Sequence, residues 1–413
     1  TLFEDFRQRI RRSEGMKYVV VLGDGMADEP LEALGGKTPL AYAKTPAMDL
    51  LAKTGDIGMA RTVPEGMSPG SDTANLSIMG YNPEIYYSGR SPLEALNIGV
   101  SMEEGDVAIR ANLVTLSEKE ENYEEKHLLD HSADEISTEE ASALLEAVKE
   151  GLENQEFQFY AGTSYRHCLI WKHGNVVPLT PPHDIREREI KNYLPDEELL
   201  LAMQKESYKI LENHPINQKR REKGLNPANS LWFWGAGTKP SLSSFEGKFH
   251  KKGVMISAVD LLKGIAVGTG MKNISVEGAN GGLHTNYEGK AQAALDALLK
   301  EGYDFAYIHV EAPDEMGHQG SVEKKIQAIE YLDERVIKLV KEGLEKSGED
   351  YRLLILPDHP TPIKVKTHTA NPVPYLLYDS RKTEETGNCY SEEAGAHFEP
   401  VKGHELLKIL FEE

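Results

Sequence analysis

Cysteine is scarce in this chain, positive charge is outnumbered, and no long apolar run occurs. Each shortage removes a class of protein. Cys168 and Cys389 are the 2 cysteines. They cannot build a disulfide framework and lack the spacing of a metal site, so the expected compartment is the cytoplasm. No stretch approaches the ~18 apolar residues of a membrane span, and no signal-peptide pattern opens the sequence. Lysine and arginine number 46 against 67 aspartates and glutamates, a net charge of −21. That balance lacks the basic footprint that nucleic-acid binding needs. An acidic protein acting on an anionic substrate must instead concentrate local positive charge, from metal ions or from a few arginines and lysines. No G-x-x-x-x-G-K-[ST] loop is present either, which weighs against a P-loop nucleotide site.

What is there reads as a globular α/β protein. At 413 residues, with 39% hydrophobic and 27% charged residues, two domains or a core with a large insert are expected. Residues 1–15, "TLFEDFRQRIRRSEG", precede Met16 and read as an N-terminal extension or expression remnant outside the fold. Three apolar, β-branched runs, "KYVVVLGD", "DFAYIHVEAPD" and "YRLLILPDH", read as buried parallel strands. Helical patterns lie between them at 289–302 and 321–346, the second with Val322, Ile326, Ile329, Val336 and Val340 near helical spacing. Strand alternating with helix predicts a mostly parallel sheet whose functional groups lie beyond the carboxyl ends of the strands. From about 104 to 245 the pattern changes to acidic helices ("STEEASALLEAVKEGLE", "PDEELLLAMQKESYKILENH") between strand-like pieces ("AIRANLVTLS", "HCLIWKHG"). This segment is expected to be an α+β domain inserted into a core formed by 16–103 and 246–413, with residues 382–403 as a late loop.

The polar clusters fall where the sheet argument puts a site. Asp24 follows the first apolar run, Asp314 and His318 the second, and Asp358 and His359 the third; His368 stands in "KTHTANPVPY". Singly these are turn residues or structural histidines. Asp314 and His318 at i, i+4 would share one helix face. With Ser71 they make a set of oxygen and imidazole groups. Mixed carboxylate and imidazole donors suit Mn²⁺ or Zn²⁺ better than they suit Mg²⁺ or Ca²⁺, which favour all-oxygen sites; Mg²⁺ and Co²⁺ are further candidates. A pair of divalent metal ions ~4 Å apart can clamp the attacking and leaving oxygens of displacement at phosphorus. Ser71 lies in "PEGMSPGSDTANLSIMGYNP" at the start of a short helix. The simple reading is an N-cap. Beside such a ligand set it is instead expected to be a nucleophile activated by a metal, over a helix N-terminus suited to a phosphoryl oxygen. Asn75, one turn on, is a candidate phosphate donor.

"LGDGMAD", "GSDTANLSIMGY", "VEAPDEMGHQG", "LPDHPTPI" and "THTANPVPY" resemble, in order, the motif series of the archaeal-type cofactor-independent phosphoglycerate mutases of the alkaline phosphatase superfamily. The similarity runs from about Met16 to the C-terminus. It implies a phosphatase-like core with helices on both faces of the sheet and an inserted substrate domain. It also implies that Asp314, His318 and His368 hold one metal, and that Asp24, Asp358, His359 and the Ser71 oxygen hold the other. The implied reaction forms a phosphoserine at Ser71, after which the glycerate reorients and takes the phosphoryl group back on its other hydroxyl.

The insert departs from the family. Its mutases hold the small phosphorylated substrate there with several arginines, whereas "LLDHSADEISTEEA" has none. The remaining candidates for substrate binding are Arg90, Arg110, Arg166, Arg220 and Arg221. "HSADEIST", "YRHCLIW" and "TPPHDI" are similar to a bacterial branch proposed to be a homoserine kinase in threonine synthesis. A phosphotransferase of that kind, and a phosphate- or sulfate-ester hydrolase on the same core, therefore stand as alternatives to the mutase. Linkers near 98–106 and 238–250 are expected to let the insert close over the metals and keep water from the phosphoserine. Metal identity and oligomeric state are left open.

Overall fold

The computed structural model describes residues 15–412, so the expected N-terminal extension lies, but for Gly15, outside the described residues. The chain divides into one unit ending at Tyr87 and resuming at Leu242, and a second unit, Ser88–Ser241. The first unit opens with β1 (Lys17–Gly23) and β2 (Asp56–Arg61). The second contributes β3 (Val107–Leu116), β4 (Leu128–Asp130), β5 (Phe157–Tyr160), β6 (Arg166–Trp171) and β7 (Ser230–Thr238). The chain then returns to the first with β8 (Gly253–Ile256), β9 (Lys272–Asn273), β10 (Phe305–Val310), β11 (Tyr351–Leu356), β12 (Val373–Asp379) and β13 (Val401–Lys402).

The first unit is built on an 8-stranded sheet in the order β13-β2-β12-β11-β1-β10-β8-β9. β11, β1, β10, β8 and β9 run parallel, and β12 runs antiparallel to both β11 and β2. Every residue of β1, β10 and β11 is buried, as expected for strands covered on both faces. Val19 and Val21 share one core with Ala291, Ala294 and Leu298 of the helix Tyr287–Leu299 and with Ile329 and Leu332 of the helix Val322–Leu332. On the opposite face Tyr18 sets its ring edge against Phe411, and Phe305 stacks on Phe245 at 5.2 Å. The helices Phe245–Phe249 and Leu406–Phe411 thereby cover that side.

The long helical pattern expected over 321–346 is present, with one irregularity. A π turn at Asp333–Ile337 joins Val322–Leu332 to Lys338–Ser347. There the Asp333 carboxylate accepts hydrogen bonds from the Ala47 and Met48 amides at 3.0 and 2.7 Å. It thus caps the helix Pro46–Ala52, whose own N-cap Thr45 makes no side-chain cap bond. The stretch expected as a late loop contains the short helix Glu392–Gly395 and the 2-residue β13, elements too brief for periodicity to announce.

In the second unit β4, β3, β6 and β5 form an antiparallel order, with β7 paired to β3. The helices Thr138–Leu152 and Glu198–Leu211 pack Leu144, Val148, Leu200 and Leu211 against Ile109, Leu169 and Phe233. This unit begins at Ser88 where the sequence placed a boundary near 104. The intervening helix Arg90–Asn97 packs Ala95 on Ala108, Cys168 and Ile170.

One buried ion pair ties the loop after β1 to the segment after β11. Lys325 Nζ, fully buried, lies 2.9 Å from Asp28 Oδ2 and donates to the Ala27 and Thr361 carbonyls at 3.2 and 2.9 Å. Asp28 Oδ2 also accepts from the Ile363 amide at 3.1 Å. Removing one partner of such a pair strands the other charge. Lys325→Met is therefore expected to cost ~3–5 kcal/mol in urea unfolding, with Asp28→Asn in the same chain recovering part of it. A loss for the single variant below ~1 kcal/mol, the scale of an exposed pair, contradicts this role.

Candidate active site

Three acidic groups leave the sheet together because their strands end in register. Gly23 of β1 is level with Val310 of β10, and Leu22 with Leu356 of β11. Asp24, Asp314 and Asp358 follow these ends, and all three are buried. Asp314 and His318 stand on one turn of the helix Ala312–His318, with His318 Nε2 3.2 Å from Asp314 Oδ2. The turn at Asp24 depends on Gly25, whose φ is +64° and where a Cβ would lie 2.7 Å from Asp314 Oδ1. Only glycine tolerates both demands.

All seven expected ligand residues gather here. His368 Nε2 is 3.1 Å from Asp314 Oδ1 and 3.1 Å from His318 Nε2. His359 Nε2 is 3.3 Å from Asp24 Oδ1 and 3.2 Å from Ser71 Oγ. Asp314, His318 and His368 form one group able to hold an ion, and Asp24 is shared by two more, one with Asp314 and His359 and one with His309 and Asp358. Main-chain carbonyls set two of the rings. His318 Nδ1 is 3.0 Å from the Lys366 carbonyl, and His359 Nδ1 is 3.2 Å from the Pro360 carbonyl. A carbonyl only accepts, so each Nδ1 carries a proton and Nε2 is the nitrogen that faces the carboxylates and that an ion would take on displacing its proton.

Ser71 departs from the N-cap reading. Gly70 is the N-cap of the helix Ser71–Ile78, and no side chain caps it. The Ser71 hydroxyl instead faces the cluster, 3.5 Å from Asp24 Oδ2. Asn75 departs from the phosphate-donor reading. It is fully buried and its amide donates to the Ser71 carbonyl at 2.8 Å and to Asp358 Oδ2 at 2.9 Å. Its carbonyl oxygen accepts from the Tyr307 hydroxyl at 2.6 Å. Asn75 therefore positions Asp358 and Ser71.

The electrostatics favour cations. Burial and the neighbouring Asp24 push Asp358 up to about 6. Burial and Asp314 push Asp24 the same way, but hydrogen bonds from His309 and His359 outweigh them and hold it well below the carboxylate range. The hydrogen bond to Asp314 lifts His318 to about 9. Burial opposes the proton on His359, yet Asp358 and Asp24 carry it to about 10. The cluster thus draws positive charge to the nitrogens and oxygens that a divalent ion would use. Asp24 Oδ1 is buried and faces His359 Nε2 at 3.3 Å without a well-aligned hydrogen bond, a cost that an ion would relieve.

The candidate arginines separate into two sets. Arg110, 5% exposed, lies over the Trp234 ring at 4.4 Å and pairs with Glu94 at 2.8 Å. Burial lowers it to about 10 against the pull of Glu94, and Arg90 and Arg166 push in the same direction as burial. Arg166 lies over Tyr165, which edges onto His131; His131 in turn meets His183, and His183 meets Trp234. Arg90, Arg110 and Arg166 therefore belong to one cationic, aromatic cluster of the second unit. His131 and His183 were not singled out from the sequence, although both sit in the quoted stretches "HSADEIST" and "TPPHDI". Arg220 and Arg221 lie elsewhere, on the helix Pro215–Glu222. Arg221 pairs with Glu118. Arg220 is buried, pairs with Glu140 and donates to the Ala133 and Asn226 carbonyls at 2.6 and 2.8 Å. Ala133, Asp134 and Glu135 all have positive φ, 48°, 56° and 50°, a left-handed turn that non-glycine residues adopt at a cost. Arg220 holds that turn. Arg220→Ala is expected to lower stability by ~2–4 kcal/mol by leaving buried carbonyls unpaired. Arg221→Ala should cost under ~1 kcal/mol. Equal thermal shifts for the two contradict the assignment.

Comparison with known proteins now gives the site a lineage. The family described as 2,3-bisphosphoglycerate-independent phosphoglycerate mutase matches residues 52–217. A Methanosarcina barkeri protein named 2,3-bisphosphoglycerate-independent phosphoglycerate mutase is 48% identical over 96% of this chain and 99% of its own. A Geobacter sulfurreducens protein named as a probable mutase of the same kind is 50% identical over 92% of this chain and 95% of its own. The solved cofactor-independent phosphoglycerate mutase of Thermoplasma acidophilum is 25% identical and superposes with a TM-score of 0.62 over 96% of this chain and 99% of that one. A solved Pyrococcus horikoshii protein, 29% identical, reaches 0.78 over 96% and 97%. The homoserine-kinase alternative is not favoured, since these archaeal and bacterial relatives carry mutase names. With the ordered motifs and the parallel-sheet core, this identity over nearly the whole length means that the chain belongs to the 2,3-bisphosphoglycerate-independent phosphoglycerate mutase family.

Proposed function

We propose that this enzyme interconverts 3-phosphoglycerate and 2-phosphoglycerate in the cytoplasm, without a bisphosphorylated cofactor, through a phosphoserine at Ser71. The observation that carries the reading is the Ser71 hydroxyl. It caps no helix, and it stands among Asp24, His359 and the rest of the ligand set. Asp314, His318 and His368 would hold one divalent ion, and Asp24, Asp358 and His359, with the Ser71 oxygen, a second; Mn²⁺ or Zn²⁺ suits these donors best. Such ions supply charge for the phosphoryl oxygens and make a serine alkoxide accessible.

The protein's own groups do the rest. Asn75 fixes the Ser71 main chain and Asp358 together, so the nucleophile and its neighbours keep one geometry. With no side chain capping Ser71–Ile78, the amides of its first turn are open to a phosphoryl oxygen. Ser71 Oγ gives up its proton and bonds to phosphorus as the bond to the substrate's ester oxygen breaks, and one proton passes to that oxygen, so the step balances without another reactant. The freed glycerate turns, and its other hydroxyl reverses the step. Arg90, Arg110 and Arg166, with His131 and His183, are assigned to the charged ends of the glycerate, because planar guanidinium groups match carboxylate and phosphate.

In a mutase assay without nucleotide, the Mn²⁺-loaded protein should equilibrate the two phosphoglycerates, and chelator should abolish turnover until metal is restored. Ser71→Ala should show no turnover while its stability stays within ~1 kcal/mol of wild type, since no cap is lost. Arg166→Ala should raise KM about 10-fold or more, the worth of a charged hydrogen bond. Near wild-type turnover in Ser71→Ala rules out the phosphoserine. A metal-loaded protein that leaves phosphoglycerate unchanged but phosphorylates homoserine from ATP overturns the proposal.

A further inference from the structure

His309 lies inside β10, three residues before the helix that carries Asp314, and nothing in its sequence context separates it from a core residue. It is fully buried. Its Nε2 is 2.8 Å from Asp24 Oδ2, and its Nδ1 is 3.2 Å from the hydroxyl of Ser257, just beyond β8. The Ser257 oxygen already accepts a hydrogen bond from the Val259 amide at 3.0 Å, which leaves its own proton to give to Nδ1. A neutral imidazole that accepts at Nδ1 carries its proton on Nε2, and a carboxylate can only accept it. The backbone of His309 is fixed as well, because the buried Lys290 Nζ donates to its carbonyl at 2.8 Å.

This ring is wired in the opposite sense to its neighbours. His318 and His359 meet main-chain carbonyls at Nδ1 and so donate there, which leaves Nε2 as the nitrogen an ion would take. His309 meets a hydroxyl there and so exposes a proton. We propose that Ser257 and His309 form a positioning relay for Asp24. The relay engages Oδ2 from the protein side and turns Oδ1, which is buried and met by His359 Nε2 at 3.3 Å without a well-aligned hydrogen bond, toward an ion. His309 is then a positioning residue, although it lies within ligand distance of Asp24 and Asp358. Ser257 sets its tautomer, as partners behind metal-binding groups commonly do.

The inference rests on the metal reading above, and one experiment separates the two. Mn²⁺ is titrated into the metal-stripped protein, free Mn²⁺ is followed by electron paramagnetic resonance, and folding is checked by circular dichroism. Wild type should take up two ions; uptake of none sinks the metal reading and the relay with it. His309→Leu should weaken one of the two sites ~10–100-fold and leave the other within ~3-fold. Ser257→Ala, which keeps the ring but frees its tautomer, should weaken the same site by a smaller factor. His309→Gln, whose amide N–H falls near the Nε2 position, should recover most of the affinity lost in His309→Leu. Wild-type affinity in both His309→Leu and Ser257→Ala overturns the relay. So does a Gln variant as weak as Leu beside an unaffected Ser257→Ala, a pattern that makes His309 a direct ligand. Should His309→Leu fail to fold, Ser257→Ala against wild type decides the question alone.

Discussion

Three carboxylates brought together out of water are the constraint on which the rest of this structure depends. Asp24, Asp314 and Asp358 are each buried at the ends of adjacent parallel strands, and like charges so placed repel through a medium that screens poorly. Nothing in an acidic chain offsets them by chance. The molecule answers with imidazoles and with amide donors such as Gly25 N and His359 N on Asp358 Oδ1, yet Asp24 Oδ1 is left without a well-aligned hydrogen bond. A fold carries such a cost where the charges have work to do.

The surrounding architecture can be understood as the means of holding that cost in place. Strands covered on both faces leave β1, β10 and β11 no freedom to slip, since a shift of one residue would turn Val19 and Val21 out of their core. Lys325 fastens the two loops that carry Asp24 and Asp358 from beneath, and Asn75 fastens Ser71 to Asp358 from the side. The second unit carries a different kind of charge. Its Arg110 and Arg166, with the imidazoles of His131 and His183, are interleaved with Trp234 and Tyr165, so guanidinium charge there is set among aromatic rings.

Much of this was legible in the amino-acid order, for identifiable reasons. Asp24, Asp314 and Asp358 directly follow or closely trail apolar β-branched runs, and parallel sheets put such residues at one edge. His318 was legible because i, i+4 spacing means one face of a helix. Ser71 was placed at a helix start for a reason that the backbone revises, since Gly70 is the cap and the hydroxyl points away from the helix. His309 was hidden because it occupies an inward position of a buried strand, where the pattern expects only core. For Asn75 and Arg220 the sequence shows less than the structure, for a shared reason. A polar residue near a site looks like a contact to substrate until its partners are seen, and here both are bonded to groups of the protein itself. The helix Arg90–Asn97 joins the second unit through Ala95, a small residue with no periodicity to betray its side.

The central claim is that the phosphoryl group passes through Ser71, and the most direct measurement looks for it there. Metal-loaded protein is mixed with 3-phosphoglycerate in the absence of nucleotide, quenched in acid within one turnover, and digested for mass spectrometry. The account predicts a phosphorylated peptide spanning Ser71, with fragment ions that place the phosphate on that residue, appearing before 2-phosphoglycerate reaches equilibrium. Turnover that proceeds with no phosphate on this peptide at any time, or with phosphate on another residue, would contradict it.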